Sequence, residues 1–342
     1  MNTGKLTNNG LAQELLKYFY SPNLLFKNTQ YEFQNLYCFL SRVQPWDNEL
    51  NPPTPILSDY YIKQVHKNMF GLKRIDSSNM SPVAERIDWV SGTTYTQYSS
   101  TNPNLFDVGS DGKLLNKFYV RNNYDQVFKC LSNNTTITNP NGSPSTVQPI
   151  VDFSYDKLTG YIQTIDGYKW KYLYTIDSGS KLNFFDENWI PVPVFSHRSN
   201  VNSTQISSGE ISTINVYNPG LNYSDDSGKD FSTTIIIDGD GTGASASAII
   251  SSNVVTEIII TNPGIGYTTA NVSIVPNLNY SGNGAVLVAE PSPIGGHGFN
   301  LLTELACKTI MVTCSFDSTS NDVIPSDIDY RQIGLLVNPL LN

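Results

Sequence analysis

The chain repeats itself between Gly209 and Glu290, at a period of about 40 to 45 residues. The first copy passes through Ile211, Ile214 and Val216 to Asn218-Pro219-Gly220 and Tyr223. It continues through Ile235-Ile236-Ile237 to Gly241-Thr242-Gly243-Ala244 and the small-residue run Ser245 to Ile250. The second copy passes through Val255, Ile258 and Ile260 to Asn262-Pro263-Gly264 and Tyr267. It continues through Val272 and Ile274 to Gly282-Asn283-Gly284-Ala285 and the run Val286 to Ala289. Pro presets φ for the second position of a turn and Gly accepts positive φ. Each copy is therefore expected as strand, Asn-Pro-Gly turn, strand, glycine turn, strand, and the two copies are expected to pack as one small β-domain.

The flanks of the repeat have the composition of boundaries: Ser196 to Ser208 is rich in Ser and Asn, and Pro291 to Gly298 in Pro and Gly. Strand-like sequence resumes at Thr309 to Phe316 and Ile333 to Val337, so the repeat reads as an insertion into a larger domain. A chain of 342 residues is long enough for two cores, since single cores stop growing at roughly 250 to 300 residues. The expected division is a discontinuous β-sandwich core, residues 1–208 with 291–342, and an inserted β-repeat domain, residues 209–290.

Helices are expected to be few. Leu11, Leu15, Leu16, Tyr18 and Phe19 follow a 3.6-residue period and predict a short helix ending before Pro22. A second is predicted from Asp59 to about Phe70, with Ser58 as N-cap and Gly71 closing it. Gln30 to Arg42 reads as a strand. Further β-prone runs lie at Lys117 to Val120, Gln126 to Leu131, Gly160 to Thr164 and Tyr168 to Ile176. In the last, Tyr168, Trp170, Tyr172 and Tyr174 alternate with Lys169, Lys171 and Leu173, giving one wholly aromatic face for a core or a subunit contact. Asn133 to Ser145 is expected as an exposed loop.

Composition narrows the function. A net charge of −9 and a pI near 4.8 argue against nucleic acid, whose binding draws on Lys and Arg neutralising phosphates. Only 15 % of residues are charged, against roughly 25 % in ordinary soluble domains, while Tyr is plentiful; that surface suits protein contacts. Met1 to Gly10 lacks the pattern of a secretory signal and no run of about 18 apolar residues occurs, so neither export nor membrane spanning is expected. Cys38, Cys130, Cys307 and Cys314 are scattered without a CxxC and read as buried small hydrophobes in a reducing cytoplasm.

No catalytic, cofactor-binding or metal-ligating residue is assigned. His66, His197 and His297 lie near no Gly-x-Ser-x-Gly or HExxH pattern. Of the three, His297 within Gly295-Gly296-His297-Gly298 is the strongest candidate for a catalytic or ligand role, although a turn at a domain junction explains its glycines. Asp238-Gly239-Asp240-Gly241-Thr242-Gly243 fails as a calcium loop, because the twelfth position is Ile249, and fails as a dinucleotide loop, because no helix follows. It reads as a surface turn. Asp225-Asp226 and Asp186-Glu187 read as solvated turn carboxylates.

Outside the repeat, ordered blocks carry a resemblance. They are Arg42-Val43-Gln44-Pro45-Trp46, the helix after Pro53, Arg86-Ile87-Asp88-Trp89 and Val127-Phe128-Lys129-Cys130-Leu131. They continue with Asp166-Gly167-Tyr168-Lys169-Trp170-Lys171-Tyr172-Leu173, Ile190-Pro191-Val192-Pro193, and Tyr330-Arg331-Gln332-Ile333-Gly334 followed by Asn338-Pro339-Leu340. Together they make the chain resemble the baseplate wedge subunit of T-even-like contractile-tailed phages, the wedge protein present as a dimer. The repeat is not part of that pattern, although NPG-x-x-Tyr units decorate many phage tail proteins, and the family pattern runs on beyond Asn338-Pro339-Leu340. The resemblance implies a layered β-sandwich core with short helices in loops and no active site. It also implies a homodimer partnered by other wedge subunits, in a virion whose parts are made in the host cytoplasm. No cofactor, nucleic acid, membrane or small-molecule substrate is expected, and the interface residues are left unassigned. The alternatives are a tail-associated adhesin or glycan-binding module acting through the repeat, and a tail-associated glycoside hydrolase.

Overall fold

The computed structural model describes residues 36–54, 56, 58–152, 160–194, 209–223, 234–275, 282–293, 295–315 and 328–337. The elements begin with β1 (Leu36–Ser41), α1 (Asp59–Lys67), β2 (Met69–Ile75), β3 (Met80–Glu85), β4 (Tyr119–Arg121) and β5 (Gln126–Ser132). There follow β6 (Ile162–Gln163), β7 (Lys169–Thr175), α2 (Ser178–Phe184) and β8 (Trp189–Pro191). The repeat supplies β9 (Ile211–Leu221), β10 (Thr234–Gly239), β11 (Thr242–Ser251), β12 (Val254–Ile265), β13 (Ala270–Val275) and β14 (Asn283–Pro291). Last come α3 (Leu301–Glu304), β15 (Thr309–Val312) and β16 (Gln332–Val337). The described chain is mainly β, built of several small antiparallel sheets with a few short helices. The helix expected before Pro22 and the strand residues before Leu36 lie outside the described residues.

The chain divides into two compact units. The first comprises Met1–Ala84, Ser178–Val194 and Cys307–Asn342. It holds the sheets β16-β1-β2 and β15-β3-β8. In the former, Leu36 lies opposite Val337 and Ile75, and Phe39 covers Gly334, where any Cβ would strike its ring. Helix α1 begins as expected, the Ser58 hydroxyl accepting the Tyr61 amide at 3.3 Å with Asp59 in the first turn. It ends sooner than Phe70. The Asn68 amide reaches back to the Gln64 and Val65 carbonyls, and from Met69 the chain pairs with β1, so Gly71 sits opposite Leu40 instead of closing the helix. A long ladder along β1 outweighs one more helical turn.

The second unit comprises Glu85–Asp177 and Phe195–Ala306. Its sheet β4-β5-β7-β6 is centred on β5, every residue of which is buried. The aromatic face of β7 is core: Tyr168, Trp170 and Tyr174 are buried, Tyr168 stacks on Trp170 at 5.2 Å, and Tyr95 meets Trp170 edge-on at 5.6 Å. The loop 133–145 is exposed at Ile137 and Thr138 but anchored at both ends. Asn133 is buried and donates to the Tyr95 carbonyl at 2.9 Å, and Ser145 is wholly buried. Side chains that satisfy buried backbone groups draw those ends inward.

The repeat forms a four-stranded sheet, β10-β13-β14-β9, and a two-stranded one, β11-β12. Its two copies exchange strands. Strand β9 of the first copy pairs with β14 of the second, β12 of the second pairs with β11 of the first, and the middle strands β10 and β13 pair with each other. One buried cluster is shared, with Ile211, Ile214, Tyr223 and Ile250 from the first copy and Val255, Ile258, Tyr267 and Leu287 from the second.

The Asn-Pro-Gly triplets depart from the expected turns, because they reverse nothing. Both lie near the ends of long strands, with Pro219 opposite Ala285 and Pro263 opposite Ala244. Just before each triplet the register slips, between Val286 and Leu287 on one ladder and between Ser245 and Ala246 on the other. A bulge bends the strand and tolerates a proline that cannot donate to the ladder. The Asn218 side chain accepts from Gly220 N at 3.1 Å and Asn262 from Gly264 N at 3.0 Å, holding those glycines at φ 65° and 67°.

Candidate functional site

A deeply buried cluster of ionisable groups is built on β5. Because β5 is covered on both faces, Lys129 is carried inside with no exposed surface. The signal available beforehand was a single Lys in the apolar run Val127 to Leu131. Its ammonium pairs with Glu304, lies 3.2 Å from His297 Nδ1 and sits 4.0 Å from the centre of the Tyr98 ring. Glu304 closes α3, whose N-cap Asn300 accepts from Thr303 N at 3.2 Å, and its second oxygen accepts from Gly298 N at 2.6 Å. Gly295, Gly296 and Gly298 all have φ near 80°, at 85°, 85° and 79°, and the turn they make aims His297 inward.

Charge follows from this geometry. Burial pushes the Lys129 ammonium down and Glu304 opposes that shift. Burial raises the Glu304 carboxyl, but Lys129 and His297 outweigh it and hold the group at about 2. Burial and then Lys129 depress His297 to about 4, so its ring is neutral at neutral pH. His297 Nδ1 lies between the Lys129 ammonium at 3.2 Å and the Glu304 carboxylate at 3.3 Å, and Nε2 lies 3.0 Å from the Ser212 hydroxyl on β9. The cluster is a polar bracket joining β5, α3 and the first strand of the repeat. Sequence reasoning singled out His297 and missed Lys129 and Glu304, whose partnership is visible only once the fold brings them together.

The other candidates do not converge on it. His66 is exposed on α1, and His197, Asp225 and Asp226 lie outside the described residues. Asp186 accepts the Asn188 and Trp189 amides, each at 2.7 Å, and Glu187 is exposed beside it. Asp238 lies in β10 opposite Asn271, whereas Asp240 occupies the turn before β11. Asp240 accepts the Thr268 hydroxyl, Thr268 N at 2.8 Å and Thr269 N at 3.0 Å, bonds that lower its carboxyl to about 2. Among the described residues no group of three or more His, Cys, Asp or Glu is placed to hold a metal. No described helix is long and apolar enough to cross a membrane.

The described residues of the blocks that carry the resemblance act as framework. Arg331 donates to the Val43 carbonyl at 2.8 Å and pairs with Glu49 at 2.5 Å, while Arg42 lies 3.7 Å from the centre of the Trp46 ring. In the second unit Asp88 bridges Arg86 at 2.6 Å and Arg121 at 2.5 Å. Trp89 Nε1 donates to Ser145 at 3.0 Å, and Asp166 gathers Thr146 N at 2.7 Å and Val147 N at 3.0 Å.

Two surfaces can still meet another molecule. On β2, Phe70 and Leu72 stand on the same face as Phe39 and are 56 % and 44 % exposed, an apolar row on a three-stranded sheet. In the second unit a cleft of about 240 Å³ is lined by Lys169, Gln163, Thr135, Asn215 and Glu257 among others. Asn215 Nδ2 donates to the Leu131 carbonyl at 3.1 Å, and its Oδ1 is buried with no partner among the described residues. A scan against protein-family models matches none, and no curated protein matches the chain.

Proposed function

We propose that this chain is a structural subunit of a phage tail baseplate wedge. It acts as a homodimer that grips neighbouring wedge subunits and passes on the rearrangement of the baseplate when the tail contracts. On this reading its core is a layered β-sandwich, it resides in the virion, and it performs no catalytic step. The observation that carries it is the pairing of a sealed polar bracket with an open apolar row. Lys129, Glu304 and His297 spend their bonds on one another, on the Gly298 amide and on the Ser212 hydroxyl, out of reach of a substrate. Phe70 and Leu72 instead present apolar surface to solvent, which costs free energy unless a partner covers it. The ordered blocks around Trp46, Trp89 and Trp170 add the family resemblance. Light scattering on the purified chain tests the reading: a dimer is expected, and a monomer that also fails to join co-expressed wedge subunits overturns it.

The cleft favours a second reading, an adhesin whose repeat helps hold a glycan. Amides, hydroxyls and the Lys169 and Glu257 charges line it, groups that can donate to and accept from sugar hydroxyls. Loss of saccharide binding on Glu257→Gln, with dimerisation intact, would favour this reading over the first.

A further inference from the structure

Cys38 and Cys314 are far apart in sequence and adjacent in the first unit. Cys38 is buried on β1, and a side-chain hydrogen bond joins it to Cys314, just after β15. An independent contact fixes the same approach. Lys73 lies directly opposite Cys38 in the β1–β2 ladder, and its ammonium donates to the Ser315 carbonyl at 2.5 Å. The two thiols differ in access and in charge environment. Cys38 is buried and Cys314 half-buried; burial raises the Cys314 thiol too, and the Cys38 hydrogen bond and the Lys73 ammonium oppose that rise without reversing it. Cys130 and Cys307 are both buried, and burial pushes both thiols up, away from the reactive thiolate.

We infer that Cys38 and Cys314 form a redox-closable pair, which a low-molecular-weight disulfide converts into a covalent clamp between the sheet β16-β1-β2 and the strand β15. The Cys314 thiolate attacks one sulfur of the reagent and expels a first small thiolate, leaving a mixed disulfide. Cys38 loses its proton to solvent, attacks Cys314 Sγ and expels the second small thiolate. One reagent disulfide becomes two thiols, two protein thiols become one disulfide, and the expelled thiolates recover the two protons. In the reducing medium where such a chain is made the pair stays open; an oxidising medium closes it and fixes the two segments together.

The experiment uses the full chain, natively folded, with oxidised glutathione at mildly alkaline pH. Intact mass is expected to fall by about 2 units, the two thiol hydrogens, and to recover on reduction. A non-reducing digest should contain one linked pair of peptides, bearing Cys38 and Cys314. Cys38→Ser should stop at a glutathione adduct on Cys314. The idea is overturned if the unaltered chain also stops at that adduct, if the link uses Cys130 or Cys307, or if all thiols stay reduced. None of these outcomes depends on the wedge reading, which is tested by association.

Discussion

The ring of Tyr223 lies against Gly282, where a Cβ would stand 2.5 Å from its Cδ1. Tyr267 lies in the same way against Gly264, where a Cβ would stand 2.7 Å from its Cε2. Each tyrosine hydroxyl also accepts a backbone amide, that of Ala285 on β14 for Tyr223 and that of Ala244 on β11 for Tyr267, both at 3.4 Å. The glycines are therefore the floor of two tyrosine sockets. Gly282→Ala is expected to cost about 1 to 3 kcal/mol through overpacking. Gly264→Ala should cost at least as much, since its φ of 67° adds backbone strain. Urea unfolding of the whole chain checks both, and no loss of stability would show that the sockets yield.

Breaking the buried bracket should be expensive. Glu304→Gln leaves the Lys129 ammonium buried without its counter-charge, an effect typically worth about 3 to 5 kcal/mol. Replacing both, as Lys129→Met with Glu304→Leu, should cost clearly less than the sum of the two single changes. A double-mutant cycle by denaturant unfolding reads the coupling, and additivity would show that the two charges do not act as a pair.

Acid should weaken the fold in two stages. His297 is held at about 4 against an ordinary 6.5, so between those values the unfolded chain takes up a proton that the fold refuses, and stability falls as pH drops. Glu304 is held at about 2 against an ordinary 4.5; its contribution is full above 4.5 and is lost as pH falls toward 2. Glu290 runs the other way, because burial raises its carboxyl despite the Ser100 amide 2.6 Å away, so its protonation favours the fold. His297→Gln should flatten the stability profile between pH 6.5 and about 4 and, because His297 helps hold Glu304 down, shrink the lower stage without removing it. An unchanged slope in that window would assign it to other groups.

On the wedge reading, Leu72→Lys should abolish self-association or binding to a neighbour while shifting the unfolding free energy by no more than about 0.5 kcal/mol, as expected of an exposed site. Light scattering and urea unfolding on the same sample separate the two effects. Loss of stability in place of loss of association would mean that the face belongs to the chain's own core.

Local signals were legible wherever a residue's role is set by its near neighbours. Ser58 capped α1, the alternation of Tyr168, Trp170 and Tyr174 marked a core-facing strand, and the tandem units around Tyr223 and Tyr267 announced paired β-structure. Roles set by distant partners were not legible. Gly71 looked like a helix stop until β1 lay beside it, and the prolines at 219 and 263 looked like turns until opposing strands showed bulges there. Lys129 drew no reading of its own, because only the fold brings Glu304 on α3 to it. In each case the deciding energy is long-range pairing or desolvation, which local propensity does not encode.

The swapped ladders of the repeat also set a rule for how such an insert can come and go. Since β9 is completed by β14 and β11 by β12, a lone copy would have no mate inside its own molecule and would look for one on a sister chain. A chain cut back to one copy would therefore bare strand edges that invite intermolecular pairing.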